Sequence, residues 1–393
     1  RHPWHLGGRP AVPTSGPTTP MTRDEAEADM DERTSAAAFT AGWALLRTVP
    51  EGAGRRVFDR IADHAWRKRI GGVRQLEANL RRVAGPDATL AQLRALSRAT
   101  MRSYMRYYYE MFRLPAMTRG QVMRRVDVTG LENVETNLRR GRGVVAALPH
   151  MANYDLAGAW IAMHGIRPTT VAQRVRPERL FQRFVAARES IGIEVLPLTG
   201  GDGNAFGTLA RRLRDGRLVC LLADRDLTRN GIEVDFFGEA ARMPAGPAVL
   251  AERTGAALLP VSLWYDGDTM RIRVHEEIPV PEEGDRAAKV RAMTQRLAGE
   301  FEGVIAEHPE NWHMLQRVFA ADLDDLADPD RTGAADATGR AATAAPCAAP
   351  SPTTPDTGAH RAPGGCHATT VDTAPDVSAD PAPPRDDDVG RRR

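Results

Sequence analysis

The chain has 393 residues, enough for one large α/β domain or two smaller ones with tails, and its 42% hydrophobic content permits a substantial core. Its three cysteines, Cys220, Cys347 and Cys366, have no metal-ligand spacing, which argues against a disulfide framework or a zinc site and for a reducing cytoplasm. Net charge is +2, but residues 321–393 carry 13 Asp and 7 Arg, a balance of −6 that leaves +8 on residues 1–320. No run reaches roughly 18 apolar residues, so no spanning helix is expected, and no charged region followed by an apolar core suggests a secretory signal.

Residues 1–33, rich in Pro, Gly and Thr and then in acidic residues, read as a disordered leader. Residues 34–125 are helical by periodicity. Phe39, Trp43 and Leu46 share one face, Val57, Phe58, Ile61, Ala65 and Trp66 a second, and Leu90, Leu93 and Leu96 open a longer helix that runs to Phe112. Trp43, Trp66, Arg67, Lys68 and Arg69 combine aromatic and basic side chains as interfacial helices do, although an apolar helical stripe is more often core. If that face meets an anionic membrane surface, binding to anionic vesicles exceeds binding to neutral ones and falls with salt. Tyr104, Tyr107, Tyr108, Met111 and Phe112 end the region as core or as the border of a lipid-chain tunnel.

From Val126 strands and helices alternate. Strands are expected at Gly143–Leu148, Thr169–Ala172, Glu194–Leu196, Leu218–Ala223, Glu233–Phe237, Leu258–Tyr265 and Met270–His275, and helices near Tyr154–Met163, Glu178–Ser190, Ala205–Arg214 and Ala245–Arg253. The alternation implies an α/β core over residues 126–320, a mostly parallel central sheet flanked by helices. Asp266-Gly267-Asp268 signals a hairpin that makes one edge antiparallel. A last helix, Arg286 to Glu307, packs on the core, and residues 321–393 read as a disordered acidic tail rich in Ala, Pro and Asp.

Chemistry concentrates at the strand-to-helix join Gly143-Val-Val-Ala-Ala-Leu-Pro-His150-Met-Ala-Asn153-Tyr-Asp155. With His150 in the turn, Asp155 can fold back to accept a hydrogen bond from one ring nitrogen, leaving the other as a general base. Asp224 also follows an apolar strand directly, and ligands in such sheets bind at the carboxyl ends of strands. Gly200-Gly-Asp-Gly203 matches neither the dinucleotide fingerprint nor the phosphate loop. No G-x-S-x-G elbow is present, which disfavours an acyl-serine intermediate.

In order and spacing, His150-x4-Asp155, Phe181-Gln-Arg-Phe184-Val-Ala-Ala-Arg188, Leu221-Leu-Ala-Asp224-Arg225-Asp226 and Leu259-Pro260-Val261 leading into Trp264 resemble the lipid A biosynthesis branch of the lysophospholipid acyltransferase superfamily. Asp224-Arg-Asp-Leu, Val234-Asp-Phe-Phe-Gly-Glu239 and Met243-Pro-Ala-Gly246 are most similar to its actinobacterial phosphatidylinositol mannoside acyltransferases. The resemblance covers residues 35–320. It implies a groove leading to an apolar acyl-chain pocket, and transfer of a fatty acyl group from acyl-CoA to a mannose hydroxyl at the cytoplasmic face of the plasma membrane. It implies His150 as base, Asp155 as its orienting partner, Asp224 as an acidic residue nearby and Arg188 close to the site, with no metal and with acyl-CoA as co-substrate rather than bound cofactor. Asn153, Gln173, Arg174 and Arg225 lie on the same strand-end loops and are candidates for substrate contact, the arginines for phosphate or oxyanion. Trp312 and Arg317 match the family's terminal segment and are expected to be structural. Two other readings stay open: acylation of a lysophospholipid or lipid A-like sugar, and a non-catalytic lipid-binding protein.

Overall fold

The computed structural model describes residues 48–174, 178–198, 205–226 and 231–324. The expected leader, the helix carrying Phe39, Trp43 and Leu46, the Gly200–Gly203 loop and the tail beyond 324, with Cys347 and Cys366, lie outside them.

The described residues lead into three helices, α1 (Glu51–Lys68), α2 (Val73–Ala84) and α3 (Leu90–Arg113). Thr89 starts α3 with a reciprocal cap, its hydroxyl accepting the Gln92 N–H while the Gln92 side chain accepts the Thr89 N–H. The same chemistry at Thr118 and Gln121 starts α4 (Arg119–Arg125). Trp66 is not free to enter a bilayer: its indole N–H donates to Ser97 Oγ at 2.9 Å and Arg94 and Arg98 cover its ring. Arg67, Lys68 and Arg69 beside it are exposed. Val57 and Leu90, expected on core faces, are 48% and 64% exposed.

The α/β core then follows as β1 (Val126–Thr129), α5 (Leu131–Arg139), β2 (Val144–Leu148), α6 (Tyr154–His164), β3 (Pro168–Ala172), α7 (Glu178–Ser190), β4 (Glu194–Pro197), α8 (Ala205–Arg214) and β5 (Leu218–Leu222). It ends with β6 (Ile232–Phe236), β7 (Glu239–Met243), α9 (Gly246–Thr254), β8 (Ala257–Asp266), β9 (Thr269–Val274), α10 (Arg286–Glu307) and the short α11 (Ala320–Asp324). Seven strands form one sheet in the order β1-β9-β8-β2-β5-β3-β4. Adjacent strands from β8 through β4 are parallel, as the alternation implies.

Two expectations change. The β8–β9 hairpin is antiparallel, but β9 is not the edge: β1, absent from the sequence-based strand set, pairs with it in parallel. The Glu233–Phe237 run does not join the main sheet either. It pairs antiparallel with β7 in a separate two-stranded sheet, because Phe237, at φ 54°, and Gly238 turn the chain straight back.

Alternate residues of the central strands feed two apolar layers. Val145, Ala147, Val219 and Leu221 face α1–α3 and α8–α10, whereas Val144, Ala146, Leu148 and Leu218 face α4–α6. Strand β2 can start where it does because Gly143 lies against the end of α8, where a side chain would collide with the Leu213 carbonyl.

Candidate active site

Strand β2 pairs with β5 so that Leu148 lies opposite Leu222. His150 and Asp224 are each two residues past that pair, so the register delivers both to the same level at the carboxyl edge of the sheet. There His150 Nδ1 meets Asp224 Oδ1 at 2.5 Å, and the His150 main-chain N–H donates to Asp224 Oδ2 at 2.8 Å. Trp312 adds a third donor, Nε1–H to Oδ2 at 2.9 Å. Asp224 is completely buried. Burial acts to raise its pKa, but the His150 charge and these three hydrogen bonds outweigh it and hold the carboxyl below its usual range. An ionised carboxylate only accepts, so Nδ1 carries a hydrogen, and in the neutral ring it is then Nε2 that holds the lone pair. The His150 side chain is 23% exposed and lines the cavity described below.

The expected Asp155–His150 hydrogen bond is therefore replaced by Asp224–His150. Asp155 is 3% exposed, and its carboxylate is taken up by a two-point fork from Arg188, Nε to Oδ1 at 2.6 Å and Nη2 to Oδ2 at 3.0 Å, and by the Tyr107 hydroxyl at 2.9 Å. The reason is local backbone. His150 does sit in a turn, but Ala152 adopts φ 45° and Asn153 caps α6, its side chain accepting the Leu156 N–H at 2.9 Å. Asp155 falls in the first turn of α6 with its carboxylate directed to α3 and α7.

The pair is strongly coupled to its surroundings. Burial works against the Arg188 guanidinium, yet Asp155 beside it raises its pKa above the usual value, and burial raises the Tyr107 and Tyr154 hydroxyls. Arg188 therefore stays protonated and both phenols stay neutral at neutral pH. The ion pair joins α6 to α7, Tyr107 adds α3, and the pair forms one wall of the site, since Asp155, Arg188 and Tyr154 line the same cavity as His150.

That cavity, about 330 Å³, lies between α6 and the sheet face that carries Ala146, Leu148, Leu218, Cys220 and Leu222. Ala157, Gly158 and Ile161 form its α6 wall, and Leu131, Val134 and Val274 its far apolar end. Polar groups gather near His150, where Gln173 and Arg225 also line it. Arg225 Nε is buried and has no hydrogen-bond partner among the described residues, and burial lowers the pKa of its guanidinium. It is suited to an anionic partner supplied by a ligand.

The other candidates are placed differently. Asn153 is fully buried, and its Nδ2 donates to Glu110 Oε2 at 3.0 Å, so both ends of its amide serve the fold. Exposed Arg174 lies outside the cavity lining and forks onto half-buried Glu178. Tyr104, Tyr107, Tyr108, Met111 and Phe112 pack against helices and do not line the cavity. Sequence reasoning missed Glu110, a buried carboxylate that also accepts from Arg106 and Tyr265 at 2.8 Å. Its signal was a single acidic residue on the apolar side of a helix. Trp312, expected to be structural, also reaches Asp224, a contact that nothing local in the sequence marks.

A strand-end histidine held by a buried carboxylate above an apolar cavity suits transfer of an acyl group to a hydroxyl. The chain belongs to the bacterial lipid A biosynthesis acyltransferase family, whose model matches residues 23–321, and it is an acyltransferase. Among its relatives, the phosphatidylinositol mannoside acyltransferase of Mycolicibacterium smegmatis is 50% identical over 73% of this chain and 92% of its own length. The protein of that name from Mycobacterium tuberculosis is 47% identical over 73% of this chain and 89% of its own. A Haemophilus influenzae lipid A biosynthesis acyltransferase is more distant, 21% identical over 54% of this chain and 65% of its own.

Proposed function

We propose that the protein transfers a long-chain fatty acyl group, palmitoyl in the first instance, from acyl-CoA to a mannose hydroxyl of phosphatidylinositol mannoside. The observation that carries this reading is the Asp224–His150 pair at the mouth of a largely apolar cavity. The names of the half-identical relatives direct the choice of acceptor.

In the proposed step His150 Nε2 takes the proton of the sugar hydroxyl as its oxygen attacks the thioester carbon. The tetrahedral intermediate collapses by breaking the carbon–sulfur bond, and the departing CoA thiolate takes the proton back from Nε2. General base assistance of this kind contributes about 10²- to 10⁴-fold. Asp224 holds the tautomer and offsets the imidazolium charge as it forms. Arg225 supplies the cation for an oxyanion or a phosphate, while Asp155 and Arg188 hold the wall rigid.

A lipid acceptor places the protein at a membrane surface, on the cytoplasmic face where acyl-CoA is available. Among the described residues no helix is long and apolar enough to cross a membrane. Exposed Arg67, Lys68 and Arg69 beside Ile70, itself 49% exposed, form a basic and apolar patch suited to an anionic headgroup layer.

The test is release of free CoA thiol from palmitoyl-CoA in the presence of monomannosylated phosphatidylinositol. Wild-type protein is expected to release thiol only with the acceptor present, and His150→Ala to lose nearly all of that activity. An active His150→Ala enzyme refutes the mechanism, and absence of acceptor-dependent release from wild type refutes the assignment.

A further inference from the structure

The segment after α10 crosses directly behind the His150 turn. Met151 and Trp312 form an antiparallel bridge, the Ala152 N–H donates to the Asn311 carbonyl at 3.1 Å, and the His313 N–H donates to the His150 carbonyl at 2.8 Å. These contacts pin His150, Met151 and the N–H of Ala152, the residue in the left-handed region, and hold a conformation a non-glycine residue disfavours. Trp312 itself is completely buried among aromatic neighbours, Phe236 at 6.0 Å and Phe237 at 6.4 Å between ring centroids.

Its one polar atom is directed at the dyad. Asp224 Oδ2 receives two donors, the His150 amide at 2.8 Å and the Trp312 indole at 2.9 Å, and Oδ1 is left for His150 Nδ1. A carboxylate turns about a single bond, and its terminal torsion is soft. The two donors on Oδ2 arrive from different parts of the chain, so together they fix that torsion.

We propose that Trp312 is a positioning residue for acyl transfer: its indole N–H fixes the rotation of the Asp224 carboxylate, which in turn presents Oδ1 to His150 Nδ1 and leaves Nε2 as the base. This rests on the reading of His150 as the general base. The packing role of the ring and the electrostatic role of the N–H are separable, because a phenyl ring fills most of the same space and cannot donate.

Trp312→Phe is the direct test, supported by incorporation of 3-benzothienylalanine at 312, which replaces the N–H by sulfur in a ring of nearly the same shape. In both variants kcat is expected to fall about 10- to 100-fold, the loss appropriate to one hydrogen bond to a charged group, with KM for acyl-CoA changed by less than about threefold. The acidic limb of the kcat/KM profile should also move to higher pH, because a carboxylate deprived of a donor holds the imidazole proton more tightly. A general packing defect would lower the melting temperature without moving that limb.

Should Trp312→Phe fail to fold, the benzothienylalanine protein decides. Unchanged kcat and an unmoved acidic limb in a folded variant overturn the inference. His150→Ala is measured alongside: if it stays active, the general-base reading fails first, whereas inactive His150→Ala with unimpaired Trp312 variants refutes the positioning role alone.

Discussion

Replacing Asp224 by Asn separates charge and tautomer from shape more cleanly than any truncation. Both donors at Oδ2, the His150 amide at 2.8 Å and the Trp312 indole at 2.9 Å, are incapable of accepting. The asparagine oxygen must therefore occupy that position, which turns its NH₂ toward His150 Nδ1, 2.5 Å from the present Oδ1. The NH₂ donates, Nδ1 becomes the acceptor, and the ring hydrogen moves to Nε2, where the base needs its lone pair. The corresponding change in a serine-protease triad costs about 10⁴-fold in kcat, which is about 5 kcal/mol of transition-state stabilisation. Two of the three hydrogen bonds survive unchanged, the third is reversed and no cavity forms, so the melting temperature should stay close to wild type. Thiol release from palmitoyl-CoA at saturating acceptor measures the effect. A folded Asp224→Asn protein within tenfold of wild-type kcat refutes the tautomer argument.

Truncating Asp155 to Ala leaves Arg188 buried and unpaired, and is expected to destabilise the fold by about 3–5 kcal/mol, read from urea denaturation; a loss below 1 kcal/mol would mean the fork is not structural. Burial, reinforced by the His150 charge, pushes His313 down to about 3 from an ordinary value of 6.5. Stability from keeping it neutral is therefore fully present above pH 6.5 and is lost as pH falls toward 3. Between pH 6.5 and 5 the loss is about 2 kcal/mol, and His313→Gln should remove that part of the slope in urea midpoints measured across the range. Filling the apolar end of the cavity with Val134→Trp should move donor preference to shorter chains. Excluding three methylenes costs a long donor about 50-fold in kcat/KM relative to a short one, and an unchanged ratio would place the acyl chain elsewhere.

Several features were legible in the residues because they depend on local physics. The apolar runs Val144–Leu148 and Leu218–Leu222 are of strand length and fully partnered in the sheet. Each is followed at the same offset by its functional residue, His150 or Asp224, so placing both at one sheet edge needed only the rule that sites gather at strand ends. The caps were not: Asn153, expected at the substrate, and Asp285 turn out to cap helices in the structure. The strand at Glu233–Phe237 was also visible, but its partner was not, because periodicity reports exposure and not neighbours.

Which carboxylate serves His150 was a different kind of question. Asp155 is five residues away in sequence and Asp224 is 74, yet the closer one is turned aside by a helix cap and a left-handed Ala152, and the distant one is delivered by the register of β2 on β5. Register is set by how two apolar strands bury against helices on both faces, a property of the whole sheet that neither strand encodes alone. Trp312 carries the same lesson further: nothing around it marks an indole N–H as part of a site, because its partner comes from another strand end and the two meet only when α10 packs and returns the chain beneath the turn. The amino-acid sequence by itself determined most of the strands, the acyltransferase motifs and the histidine. Tertiary structure decided the pairing, since hydrogen bonds act over about 3 Å and only the folded sheet brings residues from distant parts of the chain within that range.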